Sequence, residues 1–161
     1  MAKDQEFADY FAARSISLRR LAFALSGDWH LADDLVQHTF LQLYRHWRRL
    51  EGQTLDAYSR RTLVNAFLSH RRRYRREHVV AEPPDGAAPD ADPGGGEDIA
   101  AALSVLPPRQ RALVVLRHLE DMSVADAAEL LGITEGTVKS QTARALEKLR
   151  ESLAPFARGR H

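Results

Sequence analysis

The sequence predicts an all-α protein made of two small helical domains joined by a flexible acidic linker, and three observations carry that expectation. Apolar residues recur at three- and four-residue steps over most of the chain, as one buried helix face requires. No segment alternates with period two for long enough to suggest a sheet. One stretch, residues 77–98, breaks the helical pattern with four prolines, four glycines, seven acids and no aromatic residue.

The chain has 161 residues, room for one ordinary domain or two very small ones. A hydrophobic fraction of 44% can build a core, while 28% charged residues and a mean hydropathy of −0.40 describe a soluble protein. No run of about 18 apolar residues is present to span a membrane. The opening M-A-K-D-Q-E-F is acidic where a secretory signal is basic and then apolar, so a cytoplasmic setting is the default expectation. With zero cysteines, disulfides, thiolate-bound zinc and cysteine nucleophiles are excluded.

The first helix is marked by Phe7, Phe11, Leu18, Leu21, Ala22 and Leu25 on one face. Gly27 fits just past its end, and Asp28 can cap the next helix. That second helix carries Ala32, Leu35, Val36, Thr39, Phe40, Leu43 and Trp47 at helical steps. Arg48 to Asp56 reads as a polar connection, and Ala57 to Arg76 as a third long helix. On that helix Tyr58, Thr62, Asn65, Ser69, Arg72 and Arg76 share one direction, with Ala57, Leu63, Val64, Phe67 and Leu68 on the other side. The run H-R-R-R-Y-R-R at its end crowds five arginines that repel one another. The negative helix C-terminus accounts for part of that charge, and a polyanion is the better explanation of the whole.

The formal net charge of +1 is a cancellation, because residues 1–76 carry +6, residues 77–98 carry −7 and residues 99–161 carry +2. The acidic stretch cannot bury enough apolar area to offset its chain entropy and reads as a tether. Its 22 residues would have an r.m.s. span of roughly 25 Å as a Gly-rich coil.

In the C-terminal segment Ser123 and Asp126 have capping-box spacing, opening a short helix with Val124, Ala127, Ala128 and Leu131 available to pack. Gly132 permits a tight turn, Thr134 can cap the helix after it, and Val138 anchors that helix. Small residue, glycine and valine in this order meet the steric needs of a helix-turn-helix. The second helix of that pair exposes Thr137, Lys139, Ser140, Gln141 and Arg144, a set suited to base edges and phosphates. Asp34 and His38 stand at i, i+4 like metal ligands, but no third ligand is spaced to join them, so no metal is expected.

Three stretches together carry a family likeness: G-D-W-H-L-A-D-D-L-V-Q-H-T-F (Gly27 to Phe40), A-Y-S-R-R-T-L-V-N followed by arginines (Ala57 to Arg76), and L-P-P-R-Q-R-A-L through G-T-V-K-S (Leu106 to Ser140). Nearly the whole chain resembles an extracytoplasmic-function (ECF) sigma factor, group IV of the sigma-70 family, most of all the short actinobacterial SigE-type subfamily. The resemblance implies a sigma domain 2 over residues 1–76 and a sigma domain 4 over residues 99–161, joined by the linker at 77–98. It implies promoter DNA and core RNA polymerase as partners, leaves room for an anti-sigma factor, and calls for no cofactor, no membrane segment, no small-molecule substrate and no catalysis. The location it implies is the cytoplasm, at the nucleoid when polymerase is bound.

Residue by residue, the resemblance implies core polymerase contacts at Asp34, Gln37, His38, Phe40 and Tyr44. Three of these, with Leu41, form a stripe beside the apolar face. The −10 element falls to Arg49, Leu50, Tyr58, Arg61, Asn65, Arg72 and Arg73, with an unstacked base captured by the Arg49–Asp56 loop and the Asn65 amide. The −35 element falls to Arg117, Thr137, Lys139, Ser140, Gln141 and Arg144. His38 stands where the pattern often has an acid, and the loop L-E-G-Q-T-L-D lacks the aromatic residue many relatives have there. Gln141 and Ala143 replace an arginine and a larger side chain, which predicts weak autonomous DNA binding. The resemblance further implies that the linker threads a positively lined channel of the polymerase, where an acidic strip would serve either as a nucleic-acid mimic or as a plain spacer.

Two other classes compete. A stand-alone helix-turn-helix regulator explains residues 99–161 but leaves the D-D-L-V-Q helix and the arginine helix without purpose. An RNA-binding protein could use the arginines but lacks the usual aromatic platforms.

Overall fold

The structure, a computed structural model, describes residues 2–50, 55–77 and 96–158. These fall into two compact units, one within Met1–Asp85 and one within Gly86–His161. Among the described residues there is no strand.

The first unit is a bundle of α1 (Ala2–Ser26), α2 (Trp29–His46) and α3 (Leu55–Glu77), each packed on the other two. Gly27 ends α1 with φ 70°, a left-handed conformation that an L side chain resists. Asp28 then caps α2, its carboxylate accepting from the His30 and Leu31 amides at 2.8 and 3.3 Å. With only two residues between them, α1 and α2 fold back as a hairpin. At that end the Trp29 ring stacks on Phe23 at 3.9 Å and 7°, and the Arg19 guanidinium covers its far face at 4.2 Å. Arg19 also donates to Asp33 at 2.7 Å.

The expected core faces are present: Leu18, Leu21, Ala22 and Leu25 of α1, Leu35, Val36, Phe40 and Leu43 of α2, and Leu63, Val64 and Phe67 of α3 are buried. Each fully buried large side chain of this kind contributes about 1.5–3 kcal/mol relative to exposure. Ala57 is exposed, and the buried side of α3 instead takes in Ser59. The connection after α2 is tighter than the sequence predicts, because Trp47–Arg49 form a 3₁₀ turn and Leu55 and Asp56 already belong to α3. An acidic residue in the first turn is favoured by the helix dipole, which suits Asp56 there.

The second unit comprises α4 (Gly96–Leu103), α5 (Pro108–Val114), α6 (Val124–Leu131) and α7 (Glu135–Arg158). Gly96 to Asp98, assigned by sequence to the tether, are therefore helical, as is Glu77 at the other edge. The rest of the tether lies outside the described residues. A proline opens α5, where a missing amide costs nothing. Straight after it, Val115–Leu119 form a single π turn, closed by the Glu120 amide on the Val115 carbonyl at 3.0 Å. Asp121 leaves the turn with φ 52°, an uncommon conformation for a residue with a side chain. The core here buries Leu103, Leu106, Leu113, Val115, Leu116, Leu130 and Val138, and within it Leu113, Ala127, Ala128 and Val138 cluster with Met122, Val124, Leu131 and Ile133 packed around them.

Candidate nucleic-acid interface

On α2 the buried face fixes which residues are left outward. Asp34, Gln37 and His38 are exposed, and Leu41 and Tyr44 stand out at 50% and 53% exposure. They form one stripe, extended across to α1 by a Tyr44 hydroxyl bond to Asp4 at 3.4 Å. Phe40 is the correction. It is 4% exposed, with its ring 4.5 Å from Phe11 and 6.2 Å from Phe7, so it offers no side chain to a partner. Its place in the helical period puts it on the apolar face as well, and burial decides between the two.

On α3 the predicted polar face is open only at Asn65, Arg72 and Arg76, while Tyr58, Thr62 and Ser69 are half-buried. Asn65, Arg61, Arg72 and Arg73 are exposed, and Tyr58 is half-buried with its ring 6.1 Å from His46. Arg72 donates to Ser69 at 3.1 Å, and Arg71 lies 5.7 Å over the Tyr74 ring, so the arginine run is partly organised by its own helix. Upstream, Arg49 is exposed and Leu50 half-buried, while residues 51–54 of the expected base-capture loop lie outside the described residues. Trp47 packs against Phe7 and Tyr10, its ring centre 5.4 and 5.8 Å from theirs.

The sequence reading missed a polar network at the same end of the bundle. The Tyr10 hydroxyl donates to Asp56 Oδ1 at 2.7 Å, its oxygen lies 3.0 Å from Ser59 Oγ, and Arg14 Nη2 is 3.1 Å from Asp56 Oδ2. Ser59 in turn donates to the Leu55 carbonyl at 2.7 Å. Burial pushes the Tyr10 phenol up from 10.0 to about 12, with the Asp56 carboxylate adding to the shift and Ser59 opposing it. Tyr10 falls one helical turn after Phe7, on the side that faces the bundle, and that spacing was the available signal.

In the second unit three local devices aim α7. Ser123 accepts from the Asp126 amide at 3.0 Å, and Gly132 closes α6 with φ 67° while the Ile133 amide reaches the Ala128 carbonyl at 3.1 Å. Thr134 then accepts from the Thr137 amide at 3.1 Å. With Val138 fully buried, Lys139, Ser140 and Arg144 are exposed together. The other predicted contacts are tied down. The Thr137 hydroxyl is 2.8 Å from that of Thr134, and Gln141 is half-buried and accepts from Gln110 at 3.1 Å. Arg117, also half-buried, donates to the Met122 carbonyl and so holds the backbone just before α6. Arg111 is buried at 7% exposure and donates to the Ala100 carbonyl at 3.2 Å, an internal role that sequence did not suggest. Among the described residues no group of three His, Asp or Glu is arranged to hold a metal, and no helix is long and apolar enough to cross a membrane.

Residues 11–77 match the family model for Sigma-70 region 2, and residues 96–149 match that for Sigma-70, region 4. The chain is 38% identical over 157 residues to the RNA polymerase sigma-E factor of Streptomyces coelicolor, covering 95% of this chain and 89% of the relative. It is 37% identical over 139 residues to the ECF RNA polymerase sigma factor EcfG of Rhodopseudomonas palustris, covering 83% and 77% respectively. Among solved structures, the sigma factor RpoE from Bartonella quintana, in complex with the anti-sigma factor NepR, is similar with TM-score 0.73 at 30% identity, covering 93% of this chain and 98% of that one.

Proposed function

We infer how this chain works from the family to which it belongs, the extracytoplasmic-function RNA polymerase sigma factors of the sigma-70 type. As a sigma factor it binds core RNA polymerase and directs promoter-specific initiation of transcription. We propose a division of labour along the chain. The segment 1–76 takes the polymerase and the −10 element, 99–161 takes the −35 duplex, and 77–98 tethers them. The protein works in the cytoplasm, as an initiation subunit with no catalysis of its own. An anti-sigma factor is a further partner, by analogy with the RpoE complex.

The observation that carries this division is that one chain holds two unlike surfaces. In the first unit α2 carries an exposed polar stripe and α3 an exposed basic one. In the second a capped helix-turn-helix presents Lys139, Ser140 and Arg144. On this reading Asp34, Gln37, His38 and Tyr44 meet the polymerase, with Phe40 holding their helix from inside. Asn65 takes an unpaired base, since its amide can both donate and accept at one base edge. Arg49, Leu50, Tyr58, Arg61, Arg72 and Arg73 line the path of the strand. Lys139 and Arg144 are placed for guanine or phosphate, while Arg117, Thr137 and Gln141 support the reading helix.

The test is transcription and gel shift with purified core polymerase over a library of promoter fragments. The chain alone should bind promoter duplex poorly and bind it well once core is added. Tight binding without core would favour a stand-alone regulator. Asn65→Ala should weaken promoter opening and leave core binding intact. Lys139→Ala or Arg144→Ala should each cost about 1–3 kcal/mol on −35-dependent promoters if it contacts a base.

A further inference from the structure

A buried, mostly aliphatic face holds α1 to its neighbours along Leu18 to Leu25, but the N-terminal half of α1 is held differently. There the half-buried Phe7 and the 46% exposed Phe11 pack their rings on Phe40, Tyr44 and Trp47, and polar contacts are added to them. A single side chain, Tyr10, touches both flanks of the connection between α2 and α3. On the upstream flank its ring lies 5.8 Å from that of Trp47, in the 3₁₀ turn after α2. On the downstream flank its hydroxyl donates to Asp56 Oδ1 at 2.7 Å and its oxygen lies 3.0 Å from Ser59 Oγ, both in the first turns of α3. Arg14, one helical turn further along α1, takes the other carboxylate oxygen of Asp56 at 3.1 Å. Both oxygens of Asp56 are therefore claimed by α1, and through them the start of α3 is fixed in position and in rotation about its axis.

Such a network is not what the bundle needs merely to stay folded. A phenylalanine at residue 10 would pack on Trp47 as well and would leave no hydroxyl to desolvate. What the hydroxyl adds is direction. It fixes how far the start of α3 stands from the end of the α2 segment, and which way the Tyr58 and Asn65 face is turned.

We propose that Tyr10, supported by Arg14, is a positioning residue for capture of the unpaired −10 strand, acting through Asp56 on the orientation of α3. The proposal rests on the assignment of the −10 strand to this unit made above. Misplacement of a binding surface by a fraction of an ångström is enough to lose much of the discrimination that surface provides. Loss of the Tyr10 hydroxyl should therefore blunt base discrimination at the −10 element and leave polymerase affinity alone, because the α2 stripe is anchored by the Leu35, Val36, Phe40 and Leu43 face.

The experiment uses the full chain with core RNA polymerase on two template pools, duplex promoters with a randomised −10 region and the same promoters with that region pre-melted by mismatches. Sequencing the transcribed templates reads base preference, and titration of the chain with core reads affinity. For Tyr10→Phe and Asp56→Asn the expected result is a loss of about tenfold in enrichment of the preferred −10 bases on both pools. The −35 preference should be unchanged and core affinity within about twofold, a change under 0.5 kcal/mol. Asn65→Ala is run alongside. If it flattens the −10 preference while Tyr10→Phe and Asp56→Asn do not, the positioning role is overturned and the assignment of the −10 strand stands. If none of the three changes the preference, that assignment fails and takes the proposal with it. If core affinity falls in step with −10 preference, the network is only a structural staple, and the proposal is likewise overturned.

Discussion

Aromatic rings pack together in the first unit, whereas the buried apolar residues of the second are leucine, alanine and valine. Every aromatic residue of the chain except Phe156 lies in the first unit. There Phe7, Phe40, Tyr44 and Trp47 meet edge to face, and Trp29 stacks between Phe23 and Arg19. In the second unit Ala127, Ala128 and Val138 let short helices approach closely, and the directions of α6 and α7 are set by caps and by a left-handed glycine. The difference teaches where each surface gets its precision. The first unit aims its outward residues through interlocking side chains, whereas the second aims them through the backbone.

The sharpest way to break this contrast is a cavity in the aromatic unit. Phe67 is 2% exposed, and Phe67→Ala should cost about 3–5 kcal/mol. Both tryptophans belong to that unit, so their fluorescence tracks its unfolding directly. A fluorescence midpoint unmoved by this variant would contradict the packing described. Next in size is a change to the backbone of the second unit. A Cβ on Gly132 would meet nothing within 4 Å, so Gly132→Ala tests conformation alone, and with φ at 67° it should cost about 1–2 kcal/mol. Hydrogen exchange should show faster opening in α6 and α7 and no change in α1 to α3; loss spread evenly over both would erase the distinction.

The smallest effect sharpens the contrast by pH. The Tyr10 phenol is raised from 10.0 to about 12 in the folded chain. The folded state therefore favours the protonated phenol, and its stabilisation is complete below pH 10 and is lost as pH climbs toward 12. Urea midpoints read by tryptophan fluorescence should fall for wild type relative to Tyr10→Phe over that interval. A gap independent of pH would remove Tyr10 from the account.

The features legible in the sequence are those whose cause is local. The caps at Asp28, Ser123 and Thr134 and the turns at Gly27 and Gly132 need only neighbours a few residues away, and all five are where the residue types put them. The exposed stripe from Asp34 to Tyr44 comes from the helical period, but the same period could not decide Phe40, which depends on rings from α1. The features that stayed hidden depend on distance along the chain. Tyr10 and Asp56 are 46 residues apart, and Gln110 and Gln141 are 31 apart, so no window of sequence contains either pair. Arg111 and Arg117 were easy to read as charges and hard to read as donors to carbonyls, because their partners are backbone atoms that carry no residue signature.

The π turn at Val115–Leu119 has a meaning in chain length as well as in contacts. Such a turn is an α-helix that has taken in one residue more than its ladder needs. Deleting one codon there would let the helix close in ordinary four-residue steps, and would swing the rest of the chain by about 100°. The Arg117 hold on the Met122 carbonyl would be the first thing lost. The second unit thus stores a spare residue just after α5, where reading-frame-preserving loss would leave a helix whole and yet re-aim α6 and α7.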